Sequence, residues 1–306
     1  MSSIAYVFPG QGAQAVGMGK VFYDRFAESR DLYKRANVHL GFDVTALCFE
    51  GPMEELTKTE KCQPALFVTS LAAFAAFHTF APTFKPVGAA GLSLGELTAL
   101  AAADAVRFTD GLYLVQARAG AMAECAANHP GTMLATIGLS REAIDEVCRE
   151  AGVVMANFNA TDQLVLSGSV QGIEQAEALV NARGAKRAIR LDVAGAFHSP
   201  LMQPAAEKFR QALSSVNLDP PIFPVVSNVT GQPISNPEEI RELLVRQIVS
   251  PVLWEPSMRR LIQDGATRFF EFPPARVLTA LLRKIDSSVK GIPIDEPADF
   301  DKLKTS

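Results

Sequence analysis

Residues 87–103 have the sequence VGAAGLSLGELTALAAA, and this stretch decides the fold. Its small and apolar beginning, Val87 to Ala90, predicts a buried strand, and Glu96 to Ala103 predicts a helix. Between them, Gly91 to Gly95 form the pattern Gly-x-Ser-x-Gly, whose glycines permit the sharp turn that carries a serine nucleophile between strand and helix. We therefore expect a nucleophile elbow with Ser93 at its tip, although a structural Gly/Ser turn has the same pattern.

The elements around the elbow predict a large α/β domain. Ile4 to Phe8 predicts a buried strand, which ends in the turn-rich sequence Pro9-Gly10-Gln11-Gly12. Pro64 suits the first turn of a long apolar helix. Thr109-Asp110 suits the cap of a second helix, which runs to about Ala127. The last dozen residues are rich in Asp, Lys and Pro and predict a loosely held tail.

The segment from Gly131 to Asp192 has a pattern of its own. Its predicted elements follow the order β-α-β-β-α-β, with strands at Thr132–Ile137, Val153–Phe158, Gln163–Ser167 and Arg187–Asp192. This order is typical of a ferredoxin-like arrangement. We predict an α/β protein in which a small ferredoxin-like domain, residues 129–195, is inserted into a large domain, residues 1–128 and 196–306. The cleft between them is the expected ligand site.

Composition excludes several classes of function. The chain has 306 residues, of which 48% are hydrophobic and 20% charged, and a net charge of -4, so we expect no nucleic-acid binding and only local basic patches for acidic partners. The four cysteines and four histidines form no zinc signature, so no metal is expected. Scattered cysteines suit a reducing cytosol, and neither a signal peptide nor a membrane span is evident, which predicts a cytoplasmic protein.

A serine hydroxyl needs a base within hydrogen-bond reach, and His198 is the best candidate. It lies in Gly195-Ala196-Phe197-His198-Ser199-Pro200, where the small domain returns the chain to the large one. A histidine satisfied by the backbone is the alternative. The N–H of Leu94 and the Gly10-Gln11-Gly12 turn are candidate donors to an oxyanion. Because no Asp or Glu has convincing triad context, we expect a Ser-His dyad whose imidazole is oriented by a carbonyl.

Arg118 is the most diagnostic charged residue. Its neighbours three and four positions away on the predicted helix are all apolar, namely Leu114, Val115, Ala121 and Met122. A buried guanidinium must find an anion, because an unpaired charge in an apolar interior is very costly. The anion is either an internal Asp or Glu or a substrate carboxylate held in a bidentate clamp, unless the side chain extends to the solvent.

With these residues identified, the chain resembles the malonyl-CoA:acyl-carrier-protein transacylases of fatty acid synthesis and the related acyltransferases of polyketide assembly. The resemblance covers nearly the whole length. It is carried by Phe8-Pro9-Gly10-Gln11-Gly12-Ala13-Gln14, Gln63-Pro64-Ala65-Leu66, Gly91-Leu92-Ser93-Leu94-Gly95-Glu96, Arg118, Asn157-Phe158-Asn159, Phe197-His198-Ser199, and Gln247 ahead of Pro251-Val252-Leu253-Trp254. The family fold, an α/β-hydrolase-like domain with a ferredoxin-like insertion, agrees with the pattern of elements.

The resemblance implies a reaction and its partners. Ser93 would be the acylated nucleophile, His198 its general base, and Arg118 the clamp on the malonyl carboxylate. Malonyl would pass from malonyl-CoA to the phosphopantetheine thiol of an acyl carrier protein, with CoA as product and no bound cofactor. We expect a monomer. Carrier proteins are usually acidic, so docking is expected at basic residues, either Lys186, Arg187 and Arg190, or Arg276, Arg283 and Lys284.

The resemblance also implies supporting roles. Gln11 and Leu94 would form the oxyanion hole, and Gln247 would supply the carbonyl that orients His198. Phe197 resembles the residue of malonyl-selective relatives, where its bulk leaves little room for a 2-methyl branch.

Two departures from the family pattern keep alternatives open. The family usually has His at Leu92 and Gly-Pro near Pro273-Pro274. A serine hydrolase such as a thioesterase shares the elbow, although Arg118 and the missing triad acid argue against it. A scaffold that binds carrier proteins without transfer is suggested by Leu92 alone.

Overall fold

The computed structural model of the protein describes residues 3–303, which contain two β-sheets surrounded by helices. The strands are β1 Ile4–Phe8, β2 Gly88–Gly91, β3 Gly131–Ile137, β4 Val154–Ala160, β5 Gln163–Ser169, β6 Arg187–Arg190, β7 Val225–Val226, β8 Pro233–Ile234, β9 Arg268–Glu271 and β10 Lys290–Pro293. The α-helices are α1 Lys20–Arg25, α2 Ala27–Leu40, α3 Val44–Glu50, α4 Met53–Thr57, α5 Thr59–Phe80, α6 Leu94–Ala102, α7 Phe108–Asn128, α8 Arg141–Ala151, α9 Val170–Ala182, α10 Gln203–Ser214, α11 Pro237–Gln247, α12 Trp254–Gln263 and α13 Val277–Ile285. Two 3-10 helices span Pro200–Met202 and Pro297–Leu303.

The larger sheet has the strand order β10-β9-β1-β2-β7-β8. β1 pairs in parallel with β2 and β9, and every residue of β1 is buried. Burial on both faces is typical of parallel strands covered by helices, and it explains why β1 is apolar without alternation. Tyr6 and Phe8 point into an aromatic cluster with Phe272, whose ring lies 5.2 Å from that of Phe8. This α/β-hydrolase-like sheet carries the elbow at the end of β2.

The smaller sheet is antiparallel, with the order β4-β5-β3-β6. Together with α8 and α9 it has the predicted β-α-β-β-α-β order, and the ferredoxin-like prediction is confirmed. Alternation along its strands separates two faces. Leu134 and Leu166 pack in the core under α8 and α9, whereas Met133 and Val165 line a cleft beside the larger sheet. The domain boundaries themselves stay a prediction.

Three sequence-based expectations about helices and the tail were wrong. Pro64 lies inside α5, because the helix begins at Thr59, and burial of the surrounding residues offsets a cost of about 3 kcal/mol for an interior proline. Asp110 lies in the first turn of α7 rather than at its cap, where its carboxylate still favours the helix dipole. In the tail, Pro297–Leu303 form a 3-10 helix anchored by Phe300, and residues 304–306 lie outside the described residues.

Within residues 3–303, no helix has both the length and the apolar character needed to cross a membrane.

The anchoring of the C-terminal segment gives a stability prediction. Phe300 is 2% exposed, and its ring lies 5.4 Å from that of Phe77. We expect Phe300→Ala to lower the free energy of unfolding by about 3 kcal/mol, the cost of a cavity left by a buried aromatic ring. Urea denaturation measures this change, with Val38→Ala, an exposed position, as the control. A loss as small as that of the control would show that the segment contributes nothing to stability.

Candidate active site

The turn between β2 and α6 is built on two glycines and one strained serine. A Cβ atom at Gly91 would lie 1.8 Å from the carbonyl oxygen of Gly95, and a Cβ atom at Gly95 would lie 2.2 Å from that of Phe8. Both positions therefore require glycine. Ser93 has φ 54° and ψ -104°, a conformation that is unfavourable for a residue with a side chain. The sequence thus folds locally as the elbow that its pattern predicts.

Asn228 stabilises the strained turn from the neighbouring strand. Its Oδ1 accepts a hydrogen bond of 2.7 Å from the N–H of Ser93, and its Nδ2 donates one of 2.8 Å to the carbonyl of Gly91. The side chain is fully buried and follows β7, which pairs with β2. Sequence reasoning missed Asn228, and the available signal was its polar side chain directly after a buried strand.

Ser93 and His198 are in contact. Ser93 Oγ lies 2.8 Å from His198 Nε2, and His198 Nδ1 lies 2.8 Å from the backbone carbonyl oxygen of Gln247. A carbonyl only accepts hydrogen bonds, so Nδ1 carries the proton and the lone pair of Nε2 faces the serine. Burial and the nearby charge of Arg118 lower the pKa of His198 to about 4. The imidazole is therefore neutral at pH 7 and able to take a proton.

Arg118 reaches the same serine oxygen from α7. Its Nη2 donates to Ser93 Oγ over 3.0 Å and to Gln247 Oε1 over 2.8 Å, and its Nη1 donates to Gln63 Oε1 over 2.7 Å. The side chain is 1% exposed, so it does not extend to the solvent. Burial lowers its pKa to about 10, which leaves it charged at pH 7. All three acceptors are neutral, and within residues 3–303 no Asp or Glu forms an ion pair with it.

Gln247 lies behind the site and joins its parts. Its side-chain Nε2 donates to the carbonyl of Ser93 over 2.9 Å and to the carboxyl of Glu96. Its Oε1 accepts from Arg118, while its backbone carbonyl accepts from His198. One residue thereby contacts nucleophile, imidazole and guanidinium. Sequence reasoning predicted the carbonyl of Gln247 but missed Glu96, although Glu96 belongs to the quoted elbow motif.

The remaining predicted residues line the same cavity. Gln11, Leu94 and Phe197 surround a cleft of about 140 Å³, whose wall also includes Ser93 and His198. Leu94 is the first residue of α6, so its N–H has no acceptor within the helix. The side-chain amide of Gln11 donates to the hydroxyl of Thr59 over 3.2 Å. The backbone N–H of Gln11 takes no part in this hydrogen bond.

The second wall of the cleft comes from the smaller sheet. Asn157 and Asn159 lie two residues apart on β4 and line the cavity together with Met133 and Val165. β4 is joined to the larger part of the chain, because the N–H of Phe158 donates to the carbonyl of Val252 over 2.9 Å. Both asparagines stand in a quoted motif, but sequence reasoning gave them no role.

The chemistry available here is nucleophilic. A serine, a neutral imidazole and a buried cation meet at one oxygen, which suits the transfer of an acyl group that carries a negative charge. Within residues 3–303, no group of three or more His, Cys, Asp or Glu side chains is placed to hold a metal ion.

Comparison with known proteins shows what the chain is similar to. A family described as acyl transferase domain matches residues 5–296. The chain is 41% identical over 302 residues to malonyl CoA-acyl carrier protein transacylase of Bacillus subtilis (strain 168), which covers 97% of this chain and 95% of that protein. The structure of acyl-carrier-protein S-malonyltransferase from Bartonella henselae has a TM-score of 0.95 at 35% identity and covers 100% of this chain and 99% of that one. One chain of a solved complex between a type II polyketide acyl-carrier protein and its malonyl-transacylase has a TM-score of 0.96 at 35% identity and covers 100% of both chains.

The fold and the site define an enzyme of the acyltransferase class. The similarity extends over nearly the whole chain and over nearly the whole length of these relatives. The protein belongs to the acyl transferase domain family, and the resemblance inferred from the motifs is confirmed.

The lowered pKa of His198 gives a pH prediction. An imidazole must be neutral to take the serine proton, so Ser93 should react with an uncharged sulfonyl fluoride at a rate that declines only as the pH falls through about 4. The inactivation rate after brief exposure at each pH measures this. His198→Ala serves as the control and should react slowly at every pH. A midpoint near 6.5, the ordinary value for histidine, would show that burial does not lower the pKa.

Proposed function

We infer that the protein transfers a malonyl group from malonyl-CoA to the phosphopantetheine thiol of an acyl carrier protein through an ester on Ser93. One observation carries this inference. The hydroxyl oxygen of Ser93 lies 2.8 Å from the base His198 and 3.0 Å from the guanidinium of Arg118, so nucleophile, base and cation converge on one atom. The names of the relatives from Bacillus subtilis and Bartonella henselae support malonyl as the acyl group.

In the first half-reaction, Ser93 attacks the thioester carbonyl of malonyl-CoA. Nε2 of His198 takes the serine proton as the new C–O bond forms. The carbonyl oxygen becomes an oxyanion, which the backbone N–H groups of Gln11 and Leu94 stabilise. When the C–S bond breaks, the imidazolium returns the proton to the CoA thiolate, so that CoA leaves as a thiol and the malonyl ester remains.

In the second half-reaction, the thiol of the carrier protein replaces CoA. His198 takes the thiol proton while the sulfur attacks the malonyl ester, and it returns the proton to the oxygen of Ser93 as the C–O bond breaks. Atoms and charges balance without an oxidant, a reductant or a bound cofactor. The backbone carbonyl of Gln247 holds the imidazole in the required tautomer throughout.

Arg118 binds the free carboxylate of the malonyl group. When malonyl binds, a carboxylate oxygen replaces Ser93 Oγ as the acceptor of the hydrogen bond from Nη2. The buried charge thereby gains the anion that it lacks. The cleft of about 140 Å³ has Arg118 and Ser93 in its wall and suits a small acyl chain. Phe197 lines this space, and its bulk favours malonyl over 2-methyl-branched groups.

The acyl carrier protein is the partner, and we propose that it docks beside β6. Lys186 and Arg187 are exposed there, at the edge of the smaller sheet. Leu191 and Val193, only a few residues further along the chain, line the cleft, so a carrier bound at this edge has a short path to the serine. The positive charges suit an acidic carrier surface.

Two of the other basic candidates, Arg190 and Arg276, are paired with acids of the protein itself. Arg190 pairs with Glu174 and Glu177, and Arg276 pairs with Asp295 over 2.7 Å. Neutralised side chains attract an acidic partner less strongly than Lys186 and Arg187 do.

We propose further that the protein acts as a cytoplasmic monomer in fatty acid or polyketide synthesis.

The covalent intermediate gives a direct prediction. Brief incubation with malonyl-CoA should add one malonyl group to the protein, and Ser93→Ala should remove the adduct completely, since no other hydroxyl occupies the elbow. Intact-mass measurement detects both the adduct on the unmodified protein and its absence from the variant. Ser199→Ala, a buried serine next to His198, is the matched control and should keep the adduct. A serine hydrolase would instead release free malonate rapidly in the absence of carrier protein.

The clamp gives a second prediction. Arg118→Ala should lower kcat/KM for malonyl-CoA by about 100-fold or more, because truncating a buried charged partner is costly. Its relative activity toward acetyl-CoA should rise, since acetyl has no carboxylate to bind. Transfer to a carrier protein is measured with both substrates, and Arg149→Ala, at an exposed position on α8, is the control. Equal losses for malonyl and acetyl would contradict a carboxylate clamp.

A further inference from the structure

We propose that Glu96 is a positioning residue for this transfer: as a carboxylate it acts through Gln247 to hold the guanidinium of Arg118 directed at Ser93. The proposal deepens the proposed function and rests on it, because it concerns how malonyl is selected. Glu96 touches neither the serine oxygen nor the imidazole, so its effect must pass through Gln247.

The carboxyl of Glu96 is held inside the protein rather than at its surface. Glu96 is the third residue of α6 and is 0% exposed. One oxygen accepts a hydrogen bond from Nε2 of Gln247, and the other accepts one of 3.3 Å from the N–H of Asn228. A buried acid is costly to retain unless it has partners. The Ser227 side chain is a further hydrogen-bonding partner of the carboxyl. Gln247 and Asn228 also contact the elbow, which places the acid behind the nucleophile.

The hydrogen bonds determine which way the amide of Gln247 points. Its Nε2 faces two acceptors, the carboxyl of Glu96 and the carbonyl of Ser93. Reversing the amide would place its oxygen against both of them, which is unfavourable. Its Oε1 therefore faces Nη2 of Arg118 over 2.8 Å. The carboxylate thus orients the amide, and the amide orients the guanidinium that donates to Ser93.

The charges of Glu96 and Arg118 favour each other across this amide. The direct acceptors of Arg118 are neutral oxygens, so the guanidinium gains its internal electrostatic support from Glu96. Arg118 in turn favours the ionised form of Glu96. α6 packs against α5, α7, β1, β2 and β7, and the charge that faces Glu96 from these elements is that of Arg118 on α7. The carboxylate therefore offsets part of the cost of burying the guanidinium in the empty site.

Glu96 titrates in a different pH range from the other groups of the network. Burial raises its pKa to about 7, against the hydrogen bonds from Gln247 and Asn228, whereas the pKa values of His198 and Arg118 are about 4 and about 10. Above about pH 7 the carboxylate supports the clamp, and as the pH falls through 7 it gains a proton and loses that support. Selection of malonyl should weaken in the same range, while the base stays neutral.

Glu96→Gln tests the proposal, because it keeps the side-chain volume, removes the charge and replaces one of the two accepting oxygens with an NH2 group. The measurement is the single-turnover rate of acylation of Ser93 by malonyl-CoA and by acetyl-CoA between about pH 6 and pH 8. At the upper pH we expect the malonyl rate to fall roughly 10- to 100-fold, as for a lost hydrogen bond to a charged group, and the acetyl rate to change much less. The malonyl-to-acetyl ratio of the unmodified protein should decline below about pH 7, and that of Glu96→Gln should not change with pH.

Glu271→Gln is the matched control, because Glu271 is also 0% exposed but caps α13 through the N–H groups of Leu278 and Thr279. It should lower the melting temperature and leave the ratio unchanged. Equal losses of both acyl groups in Glu96→Gln would overturn the proposal in favour of a merely structural role, and so would an unchanged ratio.

Two further measurements make the test decisive. If Glu96→Gln does not fold, the pH dependence of the ratio in the unmodified protein decides, and a ratio independent of pH overturns the proposal. Glu96→Asp retains the charge and should recover part of the malonyl preference. Failure of the unmodified protein to form any malonyl adduct would instead reject the proposed function, so the two failures are distinguishable.

Discussion

The site depends on one buried positive charge that has no negative partner in direct contact within residues 3–303. Arg118 is 1% exposed and donates to the oxygens of Gln63, Gln247 and Ser93, all of them neutral. Removing a guanidinium from water is costly, and neutral acceptors compensate only part of that cost. The empty site therefore favours the binding of an anion next to the serine oxygen. In the proposed function a substrate carboxylate satisfies this preference, and the electrostatic imbalance of the empty site is then the source of acyl selectivity.

The fold makes this arrangement possible by bringing distant segments to the end of one strand. The elbow follows β2 in the middle of the larger sheet, and Asn228 follows β7, so the paired strands deliver serine and amide to the same edge. His198 arrives where the chain returns from the smaller sheet. The smaller sheet supplies the opposite wall through Asn157 and Asn159. Nucleophile, base and acyl pocket thus lie where two sheets meet, a frequent location for ligand sites.

Much of this could be predicted because the signals were local. The glycines around Ser93 are required by contacts of less than 3 Å that any side chain would make, and the apolar neighbours of Arg118 follow from helical spacing. Errors arose where distant packing outweighed local preference. α5 continues through Pro64 because its residues are buried, and Phe300 is anchored by aromatic rings far away in the chain. Asn228 and Glu96 were missed because their importance lies in their long-range partners.

By itself, the sequence determined the elbow, the order of elements in the smaller sheet, and the residue types needed for acyl transfer, because each depends on spacing within a few turns of chain. Only the tertiary structure decided the protonation and orientation of those residues. Burial makes His198 neutral and raises the pKa of Glu96 to about 7, and the amide of Gln247 links the acid to Arg118. Such properties arise from the loss of water and from contacts between segments more than a hundred residues apart, and neither is encoded in any local pattern.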